Sequence, residues 1–300
     1  MNEHIIGEKR DMKVSRPESS GNGSANRMQS QACLSYAKVP PAFDKVNGVC
    51  RRHIAVILAG GSGRRLGGDC PKQFLQVGGK TVLELSIEAF HRNSRIDEIA
   101  IVTRADFIGH VSDIVRRQGY EKVRHVVAGG SERHFSTLAA LELYGGAEDC
   151  LLIHDAVRPL VSQRIINDCI DALDTADAVD VAVAATDTII AVDDEGRITD
   201  IPPRKTLRNV QTPQAFRAAT LREAFRLALA DSRFVPTDDC SVVFRYLPQC
   251  PIKVVEGDTA NIKITYKEDL EKVEAALRHT TEADATTGKD IALGTKQRQK

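Results

Sequence analysis

His53-Ile54-Ala55-Val56-Ile57-Leu58-Ala59-Gly60-Gly61-Ser62-Gly63-Arg64-Arg65-Leu66-Gly67-Gly68-Asp69-Cys70-Pro71-Lys72-Gln73 runs from an apolar stretch straight into a glycine-rich turn, and then sets two arginines and a lysine at close spacing. An apolar run feeding a glycine turn is how a buried parallel strand delivers backbone amides to a phosphate. Cations just beyond such a turn suit a reaction in which negative charge builds up on phosphorus. The segment reads as a nucleoside-triphosphate site.

Two better-known glycine motifs do not fit it. A P-loop needs G-x-x-x-x-G-K-[ST]. Gly79-Lys80-Thr81 supplies the tail, but Phe74 stands where the first glycine belongs. The dinucleotide fingerprint G-x-G-x-x-G starts at Gly61 and Gly63 and then meets Leu66. What does fit is L-A-G-G-x-G-x-R-[LM]-G-x(3)-P-K-Q, which resembles the signature of the sugar-nucleotide pyrophosphorylase-like nucleotidyltransferases, with every fixed position present. The plainer alternative is a glycine turn with a solvated basic face. Arg65 and Pro71-Lys72-Gln73 at these offsets speak against it.

Outward from this segment, strand and helix patterns alternate. His53 to Leu58 reads as a strand, Val82 to Asn93 as a helix with Leu83, Ile87 and Phe90 on one face, and Glu98 to Thr103 as a strand. Ile108 to Gln118 (helix), Val123 to Val127 (strand) and Ser131 to Tyr144 (helix behind Gly129-Gly130) continue the series. Cys150 to His154 (strand), Ser162 to Ala172 (helix) and Val179 to Ala185 (a fully buried strand) complete it. This alternation predicts an α/β fold with a doubly wound, mostly parallel, Rossmann-like sheet and ligands at the carboxyl ends of its strands. Thr188 to Val192 and Arg197 to Ile201, around Asp193-Asp194-Glu195-Gly196, break the rhythm and predict a protruding β-hairpin arm at about 186–206. Its isoleucines and valines need a cover, either a second copy of the chain or its own domain.

Residues 1–50 are polar and rich in Ser, Asn and Gly, and predict a disordered leader; 280–300 predict a flexible tail, leaving 51–279 as the folded domain. A chain of 300 residues with 41 basic and 41 acidic side chains gives no reason to expect bulk affinity for nucleic acid or a membrane. Any anion binding must be local. No stretch reaches the roughly 18 apolar residues of a membrane span. The N-terminus lacks the apolar core of a signal peptide, so the cytoplasm is the expected location. Seven scattered cysteines without a C-x-x-C pair argue against a disulfide framework or a structural zinc, and for buried thiols in a reducing compartment.

Further motifs follow in order. His154-Asp155-Ala156-Val157-Arg158-Pro159 puts a carboxylate and a guanidinium at a strand's carboxyl end, where they can bind a hydroxyl, a metal or a phosphate, or merely form a cap and ion pair. Ala128-Gly129-Gly130-Ser131-Glu132-Arg133 lets the backbone approach a flat base, with Ser136 one turn on; an ordinary glycine loop before a capped helix is the alternative. Arg204 and Gln211-Thr212-Pro213-Gln214-Ala215-Phe216 lie beyond the arm. Thr237-Asp238-Asp239 reads as a helix N-cap, with structural capping the better account of the two acids. Asn261-Ile262-Lys263-Ile264-Thr265 reads as a short strand placing Lys263 among apolar neighbours, at the sheet's rim or in the site.

Together, from about His53 to Leu277, these pieces resemble the 2-C-methyl-D-erythritol 4-phosphate cytidylyltransferases and their relatives, the ribitol-5-phosphate cytidylyltransferases. The resemblance implies that Ala59, Gly60, Gly61, Gly63, Gly130, Ser136 and Asp155 hold CTP. It implies catalytic roles for Arg65, Lys72 and Lys263, and an acceptor site of Asp155, Arg158, Thr188, Arg204, Thr212, Thr237 and Lys263. It further implies a homodimer whose arms bring Arg204 and Thr212 to the partner subunit's site, and magnesium carried mainly by the CTP phosphates. The acceptor's phosphate oxygen is already ionised at pH 7, so catalysis needs positioning and charge neutralisation rather than a strong base.

The acceptor is the less determined part. Leu58-Ala59-Gly60-Gly61, Ile190 and Arg208 depart from the methylerythritol branch and lean toward ribitol phosphate, whereas Val210-Gln211-Thr212 and Thr237-Asp238-Asp239 favour methylerythritol phosphate, which stands first. A catalytically silent dimeric homologue would be expected to have lost one of Arg65, Lys72, Asp155 and Lys263. Sugar-1-phosphate uridylyl or guanylyl transfer shares the first motif but not the H-D-A-x-R-P and Q-T-P-Q pieces. Lys72→Ala or Arg65→Ala should lower kcat by about 10²–10³ or more while leaving the fold intact. Near-normal turnover by either purified variant would contradict the assignment.

Overall fold

The computed structural model describes residues 52–61, 70–130, 132–146 and 149–278. Gly63 and Arg65, the expected leader over 1–50 and the expected tail over 280–300 lie outside the described residues. Strand β1 (Arg52–Ala59) is followed by a short hairpin of β2 (Gln76–Val77) and β3 (Lys80–Thr81), and then by helix α1 (Val82–His91). Thr81 starts that helix as one half of a capping box with Glu84. β4 (Glu98–Thr103), α2 (Ile108–Gln118), β5 (Val123–Ala128), α3 (Arg133–Leu143) and β6 (Asp149–Asp155) continue the alternation, and α4 (Gln163–Leu173) leads to β7 (Ala178–Ala184). After the arm strands β8 (Ala191–Val192) and β9 (Ile198–Asp200) come β10 (Arg208–Arg217), α5 (Ala218–Ala230), α6 (Asp239–Tyr246) and β11 (Ile252–Glu256). Residues 267–278 are helical.

The main sheet runs β11-β7-β10-β6-β1-β4-β5. Every pairing is parallel except those of β10, which lies antiparallel to both β6 and β7. Ile54 to Ile57 in β1 are fully buried, and all seven residues of β6 are buried, as strands covered on both faces require. Alternation sorts their side chains. Ala55, Ile57, Ile101 and Leu152 join Leu83, Ile87 and Phe90 of α1, Ile114 of α2 and Ile166 and Ile170 of α4 in one core layer. The intervening Ile54, Val56, Leu151 and Ile153 are buried on the opposite face, where α3 and α5 pack. Each such isoleucine or phenylalanine contributes about 1.5–3 kcal/mol through burial.

Three expectations change. Asn261 to Thr265 is not a strand: Ile264 N donates to Val157 O at 2.9 Å, but no ladder follows. The arm is a hairpin of strands two and three residues long, shorter than its sequence pattern, and Ile189, Ile190, Val192, Ile198 and Ile201 on it are exposed. Among the described cysteines Cys70, Cys169, Cys240 and Cys250 are free, whereas Cys150 is disulfide-bonded. A scattered, odd count excludes a framework of spaced pairs but not a single bridge.

One buried polar knot ties the end of β6 to β10. His154 Nε2 lies 3.0 Å from the Arg158 carbonyl, which can only accept, so that nitrogen carries the proton. Nδ1 therefore accepts from the Thr212 hydroxyl at 2.9 Å, and the same hydroxyl accepts from the Asp155 amide at 3.1 Å. Burial pushes His154 down from 6.5 to about 4, against the opposing pull of the Arg158 carbonyl and of Asp155. The unfolded chain takes up a proton near pH 6.5 that the folded chain refuses until about pH 4. This contribution to stability is whole above pH 6.5 and is lost as pH falls toward 4. Asp180, pushed up to about 6 by burial, works in the opposite sense over much of the same range, so the informative quantity is a difference. In His154→Asn, whose Oδ1 can still accept from Thr212, the unfolding free energy from denaturant titration should fall less steeply below pH 6.5 than in the wild type. Equal slopes would contradict a buried neutral imidazole.

Candidate active site

The chain's connections diverge at β1 and β6: β1 leads through α1 to β4 on one side, and β6 leads through α4 to β7 on the other. Such a switch point leaves a crevice beyond the carboxyl ends of the two strands. Here it is a cavity of about 780 Å³ lined by Leu58 to Gly61, Lys72, Gln73, Arg104, Gly130, Glu132, Arg133, Ser136, Asp155 to Val157 and Lys263 to Thr265.

Each wall has a local cause. The Ala59 carbonyl at the end of β1 accepts from Gln73 Nε2 at 2.8 Å and from Thr103 Oγ1 at 3.2 Å, so the glycine turn begins from a fixed point. Gln73 is buried, and its anchoring holds the 3-10 turn Lys72–Phe74 against the strand, which delivers Lys72 to the cavity. Lys72 Nζ donates to the Thr265 carbonyl at 2.6 Å. On the neighbouring strand end, Gly129 N donates to Thr103 O at 2.7 Å. A Cβ at Gly129 would stand 2.3 Å from Ser136 Oγ, and one at Gly130 would stand 2.2 Å from Phe135 Cβ. Only glycine lets α3 start this close. Ser136 Oγ then lies 3.8 Å from where a Cβ on Gly60 would be, so the two glycine turns and Ser136 converge.

Asp155 ends β6 at the cavity wall. Its Oδ2 accepts from Lys263 Nζ at 2.8 Å, and its Oδ1 is 3.7 Å from Arg133 Nε. Burial alone would raise this carboxyl; Lys263 foremost, then Arg133 and Arg158, hold it down at about 2. It is an anion at any physiological pH. Arg133 stays protonated despite its own burial because Asp239 and Asp155 flank it. The irregular segment 262–265 is what places Lys263: Ile264 N is pinned to Val157 O, and Asp269 Oδ2 accepts from the amides of Thr265 and Tyr266 at 2.9 Å.

Of the residues expected from sequence, Ala59, Gly60, Gly61, Lys72, Gly130, Ser136, Asp155 and Lys263 therefore share one cavity. Arg158, Thr188, Arg204, Thr212 and Thr237 do not line it. Arg158 spends Nη1 on the Asn261 carbonyl at 2.8 Å, and its buried Nε has no hydrogen-bond partner among the described residues. Burial lowers its pKa, against the pull of Asp155. Thr188, Arg204 and Thr237 are exposed, with Arg204 Nη1 on the Thr186 carbonyl at 3.1 Å. Thr212 is buried in its own chain, its hydroxyl committed to His154 and the Asp155 amide rather than turned to the cavity. The sequence motifs contain Arg133 and Gln73 but point to no role for either. Of the two acids expected to cap α6, only Asp238 does so, accepting from Ser241 N at 2.7 Å, whereas Asp239 turns to Arg133.

With this geometry in hand, similarity narrows the chemistry. A model of the 2-C-methyl-D-erythritol 4-phosphate cytidylyltransferase family matches residues 53–279. The enzyme of that name from Thermobifida fusca (strain YX) is 43% identical over 233 residues, 76% of this chain and 94% of that protein. A Haemophilus influenzae protein described as a bifunctional ribulose 5-phosphate reductase/CDP-ribitol pyrophosphorylase is 42% identical over 222 residues, 73% of this chain and 47% of that protein. The crystal structure of 4-diphosphocytidyl-2C-methyl-D-erythritol synthase from Anaerococcus prevotii DSM 20548 aligns with a TM-score of 0.68 at 32% identity, over 78% of this chain and 98% of that one. A cavity built by two glycine turns, a lysine behind Pro71 and an ion-paired aspartate, on a chain matched over most of its length, places the protein in the 2-C-methyl-D-erythritol 4-phosphate cytidylyltransferase family.

Proposed function

We propose that this protein transfers CMP from CTP to 2-C-methyl-D-erythritol 4-phosphate, giving the CDP-alditol and pyrophosphate. The observation that carries this is the convergence of the Gly60-Gly61 turn, Gly130 with Ser136, Lys72 and the Asp155–Lys263 pair in one cavity at the sheet's switch point. The glycine turns suit a triphosphate and a flat base, and Ser136 and Asp155 offer polar contacts beside them. An oxygen of the acceptor's phosphate attacks the α-phosphorus of CTP in line. The new P–O bond forms as the bond to the bridging oxygen breaks, and pyrophosphate leaves with that electron pair. Lys72 and Lys263 lower the cost of the extra charge at phosphorus, with Arg65 as the third cation of the motif.

Magnesium is read as part of the substrate. Asp155 already faces Lys263 and Arg133, and among the described residues no three His, Cys, Asp or Glu side chains could hold a metal ion together. Asp155, so paired, does not fit a resident cation, and the ion would arrive on the CTP phosphates. We read the arm as a homodimer contact, because it exposes five isoleucine and valine side chains, Ile189, Ile190, Val192, Ile198 and Ile201, within one short segment. Dimerisation would also give Thr188 and Arg204, which do not line their own cavity, a partner's acceptor site to reach. The alternative acceptor is ribitol 5-phosphate, favoured by Leu58-Ala59-Gly60-Gly61 and by the similarity to the Haemophilus influenzae protein.

The test is pyrophosphate release by purified protein with each of four NTPs and either alditol phosphate. Release with CTP and methylerythritol phosphate is expected to dominate, and no release with CTP and either acceptor would defeat the proposal. For the arm, Ile198→Asp combined with Ile201→Asp should shift sedimentation to the monomer and lower kcat/KM for the acceptor roughly ten-fold or more. A fully active monomer would contradict the dimeric site.

A further inference from the structure

We propose that Arg133 and Asp239 are positioning residues: their ion pair fixes the nucleotide-side helix α3 against the acceptor-side helix α6 and sets where the Asp155–Lys263 pair stands. This rests on the CMP-transfer function proposed above.

The geometry is specific. Arg133 opens α3 immediately behind the Gly129-Gly130 turn and lines the cavity. One guanidinium nitrogen is ion-paired with Asp239 Oδ2, while Nε lies 3.7 Å from Asp155 Oδ1. The other Asp239 oxygen accepts from Thr137 Oγ1, also on α3, at 2.8 Å. Asp239 is 1% exposed and Thr137 is fully buried, so these are not solvated surface contacts. From the sheet side, Gln214 on β10 accepts from Asp239 N at 3.2 Å and donates to Asp238 at 3.0 Å and to Asp180 at 3.1 Å. The start of α6, next to Thr237, is thus held by α3 and by β10 at once.

A capping role does not account for Asp239. Asp238 already caps the helix, and an acid in a first turn is stabilised by the helix dipole when left in solvent. Burying a second carboxylate against an arginine is favourable only if the pair is kept intact. What the pair does is restrain Arg133 between two carboxylates. Without Asp239 the guanidinium is free to close onto Asp155 and compete with Lys263; without Arg133, Asp155 has Lys263 as its close partner. Either change alters the position and effective charge of Lys263 at the α-phosphorus.

The test is a double-mutant cycle on the full chain, using Asp239→Asn, Arg133→Met and the double variant, with kcat, KM for CTP, KM for methylerythritol phosphate and Tm for each. Each single change should lower kcat about ten-fold or more, and the double variant should be no slower than the worse single, since both remove one device. Asp239→Glu should recover part of kcat. Arg133→Lys keeps the charge without spanning both carboxylates, so it should stay folded and still lose kcat, which covers the case in which Arg133→Met does not fold. Variants whose Tm falls while kcat and both KM values stay within two-fold of wild type, or losses that multiply in the double variant, would overturn the proposal. A wild-type protein that releases no pyrophosphate would defeat the functional proposal itself, and this inference with it.

Discussion

A carboxylate at the end of a fully buried strand has to be paired, and the pairing of Asp155 organises everything around it. The strand β6 needs all seven of its residues inside the sheet, which carries Asp155 to the point where the fold opens. Lys263 is brought to it from a segment more than one hundred residues away, and Arg133 approaches from α3. The cost of burying one anion is thereby offset by cations that also stand where a triphosphate's charge would be. On the function proposed, structural neutralisation and substrate charge would use the same side chains.

This economy explains why the site's walls are made of backbone on one side and charge on the other. Gly129 and Gly130 have no room for a Cβ because Ser136 and Phe135 close on them. The Ala59 carbonyl, held by Gln73 and Thr103, fixes the first glycine turn relative to the second. Lys72 is carried by the same Gln73 anchor and bonds across the cavity to Thr265. A shift of any one of these elements would move the others.

The parallel half of the sheet was legible because its strands are short, mostly apolar segments, broken only by Arg124 and His125 in β5 and by Asp180 in β7, and β1, β4, β5, β6 and β7 stand where those segments predict. Ile108 to Gln118 matches α2 residue for residue, since Gly119 in a left-handed conformation stops it. β10 was not legible as a strand: Gln211-Thr212-Pro213-Gln214 is polar and carries a proline, and only burial between β6 and β7 makes it extended, with a register shift between Gln211 and Ala215. Asn261 to Thr265 misled in the opposite sense, its alternation having no neighbouring strand to pair with. In the site, residues inside compact motifs could be read, because glycine and lysine spacing is local. The Arg133–Asp239 pair could not, since it joins positions 106 residues apart and neither belongs to a repeating pattern.

On the proposed function, an oxygen of the acceptor's phosphate replaces pyrophosphate at the α-phosphorus within this cavity and becomes the bridge of the new diphosphate. The most direct measurement is ³¹P NMR of the products formed from CTP and methylerythritol phosphate labelled with ¹⁸O in its phosphate. The label should stay wholly in the CDP-alditol, with the diphosphate bridge carrying it, and pyrophosphate should be unlabelled. Label in pyrophosphate, or an unlabelled bridge, would contradict the proposed function.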